Sequence, residues 1–354
     1  MSFQATRMLT PGPTPIPDRV RLAMAAPIPH HRKDAFKQIM AENQTMLKRL
    51  FCTEGPVIPL ACSGTGAMTA SAFNLFEPGE KVLVATAGNF GNRWIDIVKM
   101  RGLDPVILRW DAGIEPEAVR QALDADPTIR GVFMQISETS TGVLHPVREV
   151  ASITRERDVL LVADGISAVS ISPVLMDEWG IDCLLTGSQK GLMLPPGMAF
   201  TALSPRGWAR AEQVRPSCFY FDLIGEREVC AKNQTHYTSP ISLMVGLNEA
   251  LKMLFEYGME NVFRKQYALM KMARAGVEAM GLELFVKEEK YNTWGLTSIR
   301  LPEGVKASPI IAKAWKDCSV ILTAGQGELK EKVIRLAHMG WVDWADIAAG
   351  LHAL

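Results

Sequence analysis

Residues 159–165 read VLLVADG, and residues 181–190 read IDCLLTGSQK. Each is a short apolar run with an ionisable residue at or just beyond its end, Asp164 in the first case and Lys190 in the second. Runs this short and this continuously apolar predict strands buried on both faces. Strands are therefore expected at Val159–Ala163 and Asp182–Leu185. Comparable runs stand at Val57–Cys62, Lys81–Ala85, Gly131–Ile136 and Ala199–Leu203. Helical patterns at Pro116–Ala125 and Val147–Arg157 lie between them. This alternation predicts an α/β fold: a mostly parallel sheet with helices on both faces.

In such sheets ligands gather at the carboxyl ends of the strands. Two neighbouring strand ends would present a carboxylate, Asp164, and an amine, Lys190, to one crevice. A lysine that follows a strand is ordinarily a solvated charge. Paired with an acid on the next strand end, it fits the needs of a pyridoxal 5′-phosphate enzyme. Such an enzyme needs an amine to bond the cofactor and an acid to keep its pyridine nitrogen protonated.

Other segments fit the same crevice. Ser63-Gly64-Thr65-Gly66-Ala67-Met68 follows a strand and should open a helix, so its backbone N–H groups suit the cofactor's phosphate. A dinucleotide fingerprint fails here, because Thr69 replaces its third glycine and the strand about 20 residues on ends without an acid. Ser137-Glu138-Thr139-Ser140-Thr141-Gly142 follows another strand, and its hydroxyls could donate to the phosphate or to the ring oxygen, or simply make a turn. Phe90, in Gly88-Asn89-Phe90-Gly91-Asn92-Arg93, could stack on a flat ring or serve as core. Arg335 sits inside the apolar stretch VIRLAHMG, where either carboxylate recognition or a structural ion pair would account for it.

Further out, residues 9–17 (LTPGPTPIP) should be an extended arm, and Ile241–Tyr257 and Val262–Met280 should be long helices. Strands are expected around Trp294–Leu301 and Val320–Thr323, with a closing helix from about Asp343. The expected division is an N-terminal arm over 1–20, a large cofactor-binding domain over 21–260 and a small C-terminal α/β domain over 261–354.

The 354-residue chain carries 38 basic and 38 acidic residues, which argues against a nucleic-acid partner. Its six cysteines show no paired or metal-ligand spacing, no apolar run is long enough to span a bilayer, and no signal-peptide core opens the chain. A cytoplasmic enzyme without membrane attachment and without a metal is expected.

In order, LTPGPTPIP, HHRKDAF, SGTGAM, PGEKVLV, GNFGNRW, ETSTGVLHPV, VADGIS, GIDCLLTGSQKGLMLPPG and RLAHMG resemble the class V aminotransferases, specifically the alanine–glyoxylate/serine–pyruvate aminotransferase family. The resemblance implies a fold-type I architecture with a seven-stranded sheet and a homodimer with active sites at the subunit interface. It also implies transfer of an amino group from alanine or serine to glyoxylate or pyruvate. Lys190 would be the Schiff-base lysine and Asp164 the partner of the pyridine nitrogen. Gly64, Thr65, Gly66 and Gln189 would surround the phosphate, Ser140 would lie near the ring, and Phe90 and Ile166 would pack on its two faces. Arg335 would bind the substrate α-carboxylate, and Thr238 would reach the neighbouring subunit's phosphate. Thr235 stands where some members place a tyrosine, and Tyr237 is out of register with it. Arg32, beside His30 and His31, keeps open a substrate with a second anion, such as aspartate or an aminophosphonate. A lyase of the same fold is a further alternative.

Overall fold

The computed structural model describes residues 5–110, 115–214 and 218–354. Its centre is a seven-stranded sheet built from β1 Val57–Leu60, β2 Lys81–Thr86, β3 Asp104–Arg109, β4 Ile129–Gln135, β5 Leu160–Asp164, β6 Cys183–Gly187 and β7 Ala199–Leu203. The order across the sheet is β1-β7-β6-β5-β4-β2-β3. β7 runs antiparallel to both neighbours, and the remaining pairs are parallel. Alternate residues of β5 enter different cores. Leu161 and Ala163 pack with Leu83, Ala85 and Met134, whereas Leu160 and Val162 pack with Val82, Val84 and Phe133. Both faces are therefore apolar, which is why the strand shows no polar alternation.

Several expectations shift, among them bounds that move by one or two residues at Lys81–Thr86, Ile129–Gln135 and Leu160–Asp164. The edge strand β3 was not among the expected strands. It carries Pro105, is only partly buried, and tolerates the proline because an edge position needs fewer ladder donors. β1 stops at Leu60, where the chain turns and the Cys62 N–H bonds back to the Leu60 carbonyl at 2.9 Å. β6 begins at Cys183 because the Asp182 carboxylate turns aside to accept the Leu161 N–H at 3.0 Å, and it runs on to Gly187, closer to Lys190.

The C-terminal part forms a four-stranded antiparallel sheet. Its order is Glu283–Leu284, Leu296–Arg300, Val333–Ala337, Thr323–Ala324. The single strand expected at Val320–Thr323 is two pieces: Thr323–Ala324 joins this sheet, and Val320–Ile321 pairs in parallel with Arg7–Met8 of the arm. Leu9 then enters a separate core with Leu269, Val277, Ile299, Ile334 and Leu336. The arm is thereby tied to the small sheet before it reaches the large one. The first four residues of the expected arm lie outside the described residues, and a helix, Asp18–Ala25, already begins within its last part. The second long helix starts at Met259, directly after Gly258, rather than at Val262.

Candidate active site

Asp164 is the last residue of β5, flanked by Gln135 at the end of β4 and by Leu185 on β6. Lys190 follows three residues after β6. Both side chains are buried. Burial pushes the Asp164 carboxyl up to about 7, with the Ile166 N–H at 2.8 Å opposing and the charge of Glu138 reinforcing the rise. Burial lowers the Lys190 ammonium to about 8; Arg335 lowers it further, while Asp164 and Glu138 oppose. Acid and base are thus both driven toward neutrality, which suits groups that exchange protons near neutral pH.

The arm roofs the lysine. Lys190 Nζ donates to the Pro11 carbonyl, the Thr14 hydroxyl donates to the Lys190 carbonyl at 2.9 Å, and the Thr14 N–H bonds the Gln189 carbonyl at 3.2 Å. Gly12 has φ +132°, and a Cβ there would lie 2.7 Å from Lys190 Cδ. Backbone conformation and space both require glycine at this point.

Next to the lysine, the helix Gly64–Leu75 opens with Ser63 making no side-chain cap. The Gly64 and Thr65 N–H groups are therefore left for an anion, while the Gly66 N–H bonds the Ser63 carbonyl at 2.8 Å. Gly64 packs so closely on Ile166 that a Cβ would lie 2.4 Å from Cδ1. The Thr65 hydroxyl accepts from Arg93 at 2.8 Å. The Gln189 side-chain oxygen is buried without a partner beside Gly187, whose own neighbour is Gly64. Gly64, Thr65, Gly66, Ile166 and Gln189 therefore come together with Asp164 and Lys190.

Ser140 and Phe90 meet at the start of the helix Asn89–Met100. The Ser140 hydroxyl donates to Glu138 at 2.5 Å and accepts the Asn89 N–H at 2.8 Å. Its proton is committed within the protein, so the expected donation by this hydroxyl to phosphate or ring oxygen does not fit this arrangement. The Thr139 hydroxyl is likewise engaged, with Ser167 at 2.6 Å. Arg335 is buried and makes no ion pair among the described residues. Its Nε donates to the Ala324 carbonyl at 2.9 Å and its Nη1 to the Thr139 carbonyl at 3.0 Å. Burial lowers it to about 10, which still leaves it cationic. A cleft of about 780 Å³ opens beside Gly88, Asn89 and Ser140 and runs to Gln326 of the small sheet's loop.

Two expected residues stand apart within this chain. Thr238 is exposed and lines a small separate hollow with Tyr220 and Tyr237. Arg32 does not border the Lys190 crevice of its own chain. Its guanidinium is held by Gln234 Oε1 at 3.0 Å, the Thr235 carbonyl at 2.9 Å and the His236 carbonyl at 3.4 Å. Tyr237 bonds the Phe219 carbonyl at 2.5 Å.

Sequence reasoning left Glu138 and Arg93 without roles. Arg93 lies over the Phe90 ring at 4.8 Å, and its spacing of three residues on a helix was a readable signal. Glu138 had none, because its importance lies in complete burial, which a polar segment does not announce.

The aminotransferase class-V family model matches residues 23–327. The serine–glyoxylate aminotransferase of Methylorubrum extorquens is 36% identical over 345 residues, 94% of this chain and 86% of that protein. The soluble hydrogenase 42 kDa subunit of Anabaena cylindrica is 34% identical over 352 residues, 98% of this chain and 91% of the relative. The L-aspartate–glyoxylate aminotransferase of Paracoccus denitrificans is 33% identical over 351 residues, covering 96% and 88%. The structure of an alanine–glyoxylate aminotransferase from Nostoc sp. superposes with a TM-score of 0.94 at 29% identity, over 100% of this chain and 95% of that one. The chain belongs to the class V aminotransferases, with a fold-type I architecture, and is a transaminase. Among the described residues no helix is long and apolar enough to cross a membrane.

Proposed function

We propose that this transaminase uses pyridoxal 5′-phosphate, carried on Lys190, to move an amino group from alanine or serine to glyoxylate or pyruvate. The observation that carries the reading is the buried Asp164–Lys190 pair at neighbouring strand ends, one group pushed up to about 7 and the other down to about 8. The residues present fit the cofactor. An uncapped helix start suits its phosphate, and a buried acid suits its ring nitrogen. When bound, the cofactor supplies an aldehyde that exchanges amines and a ring that accepts electrons from the substrate's Cα.

The protein's own groups supply the rest. Lys190 Nζ, neutral for part of the time near pH 8, would take the proton from the substrate's Cα and return it to the carbon on the far side of the transferred nitrogen. Asp164 sets the charge at the ring nitrogen. Arg335, desolvated and without an acidic partner among the described residues, takes the substrate carboxylate and fixes the direction of the Cα–H bond. Phe90 and Ile166 would confine a bound ring.

Serine and alanine are favoured because Arg32 is held by backbone carbonyls away from the crevice. The other reading, a donor with a second anion such as aspartate or an aminophosphonate, draws on Arg109, Lys287 and Arg300, which line the same cleft as Ser140. Assaying alanine, serine, aspartate and an aminophosphonate against glyoxylate and pyruvate decides between them. A best donor with two anionic groups rejects the small-substrate reading. We also propose a homodimer in which Thr238 completes the partner's site, since its exposed position serves nothing in its own crevice. Sedimentation that finds an active monomer rejects it. The two-domain division near residue 260 and a cytoplasmic location belong to the same proposal.

A further inference from the structure

Glu138 is wholly buried, and no cation pairs with it among the described residues. Its four hydrogen-bond donors are all local. Oε1 accepts from the Phe90 N–H at 3.3 Å, the Ser140 N–H at 3.0 Å and the Ser140 hydroxyl at 2.5 Å, and Oε2 accepts from the Gly91 N–H at 2.9 Å. The Ser140 oxygen in turn accepts the Asn89 N–H at 2.8 Å. Carboxylate and hydroxyl together satisfy the first three N–H groups of the helix Asn89–Met100, a task its own N-cap cannot perform, because that residue is Gly88. The clamp leaves no room for a side chain at 88: a Cβ there would lie 2.3 Å from the Ser140 oxygen and 2.7 Å from Glu138 Cδ. Nor is Glu138 on a loose loop. Ser137–Glu138 pairs with Val143–Leu144 in a short antiparallel hairpin.

We infer that Glu138 is a positioning residue for the transamination: its buried carboxylate holds Phe90 and Ser140 against the crevice and supplies a fixed negative charge to the Asp164–Lys190 pair. The inference rests on the pyridoxal phosphate reading and deepens it. The charged groups around this carboxylate are Asp164 at the end of β5, Lys190 after β6, Arg93 on the helix and Arg335 on the small sheet. A fixed anion makes protons harder to remove from its neighbours. Glu138 accordingly raises Asp164, Lys190 and Arg335 alike. A plain helix cap would need neither complete burial nor this central place among the ionisable groups.

The test uses the full-length protein, Glu138→Gln and Ser140→Ala. Uptake of pyridoxal phosphate by each apoprotein is followed by tryptophan fluorescence, and the visible band of each loaded protein is titrated against pH. Glu138→Gln keeps size but loses charge and turns a donor toward the helix N–H groups. It is expected to bind the cofactor about tenfold more weakly, with the midpoint of the band lowered by about one pH unit. Ser140→Ala keeps the charge, so its midpoint stays at the parent value while affinity drops severalfold. A Glu138→Gln protein with the parent midpoint overturns the inference, whatever its melting temperature. If that variant does not fold, Ser140→Ala decides, and parent affinity in it overturns the clamp. A parent protein that takes up no pyridoxal phosphate overturns the underlying reading first, and is told apart by needing no variant at all.

Discussion

Lys190 and Arg335 are both cations sealed inside the protein, yet they are held in opposite ways. Lys190 has one carbonyl acceptor for its ammonium and a nearby acid, and burial brings it down to about 8. Arg335 is gripped by carbonyls from two segments, Ala324 and Thr139, and even after burial stands at about 10. One site is suited to gaining and losing a proton, and the other to staying charged. The contrast maps onto the two sheets. The large sheet leads to the group suited to changing state, and the small sheet carries the group suited to staying charged.

The strongest way to break this comparison is to remove the changeable cation. Lys190→Ala is expected to lose turnover by more than about 10³-fold, measured as oxo-acid formation, because both the covalent attachment and the proton carrier disappear. Borohydride treatment of the parent should fix the cofactor on the peptide that holds Lys190, and label on another lysine breaks the assignment. Asp164→Asn should still take up cofactor but transaminate about 10²-fold more slowly, since an amide cannot hold the ring nitrogen protonated.

The fixed cation gives a different signature. Arg335→Ala should cost about 2–5 kcal/mol in kcat/KM for every amino acid, because all share the α-carboxylate. Arg335→Lys keeps the charge but not the fork, so it should recover only part of that loss, mainly through KM. Should lysine restore full activity, charge alone matters and the two-carbonyl grip is incidental.

A pH experiment sharpens the contrast without mutation. Only the neutral amine attacks an aldehyde, and a lysine lowered to about 8 is neutral at lower pH than an ordinary one. The rate of cofactor uptake by the apoprotein should therefore climb to about pH 8 and then level off. A climb that continues past pH 10 marks a solvated lysine. The smallest effect is expected from Arg32→Ala, with alanine and glyoxylate turnover within about twofold of the parent, because that guanidinium is held by Thr235 and His236.

Legibility followed local chemistry. The strands leading to Asp164 and Lys190 could be read because unbroken apolar runs with ionisable residues at or beyond their ends leave few alternatives. β3 was missed because Pro105 argues against a strand unless the edge position is known. The small sheet was read less well because its strands are short and the chain at 320–324 serves two partners. At the site, residue types were legible, but directions were not. Sequence could place Ser140 in the crevice, but it could not reveal that a buried Glu138 accepts its hydrogen bond. Nor could it show that Arg32, close in sequence to the arm, bonds a segment some two hundred positions later.

The arm has a consequence for how the molecule is assembled. Leu9 receives a hydrogen bond from Ala337, and Thr14 bonds the carbonyls of Gln189 and Lys190. The arm thus finds its place only once the segments around 189–190 and 337 have been made. Such remote pairings are slow to form, because the intervening chain must already be ordered. A nascent chain released short of the small sheet would carry an intact β5 and β6 but a roof without its anchor at Arg7–Met8 and Leu9. Completion of the roof therefore records that both sheets are in place.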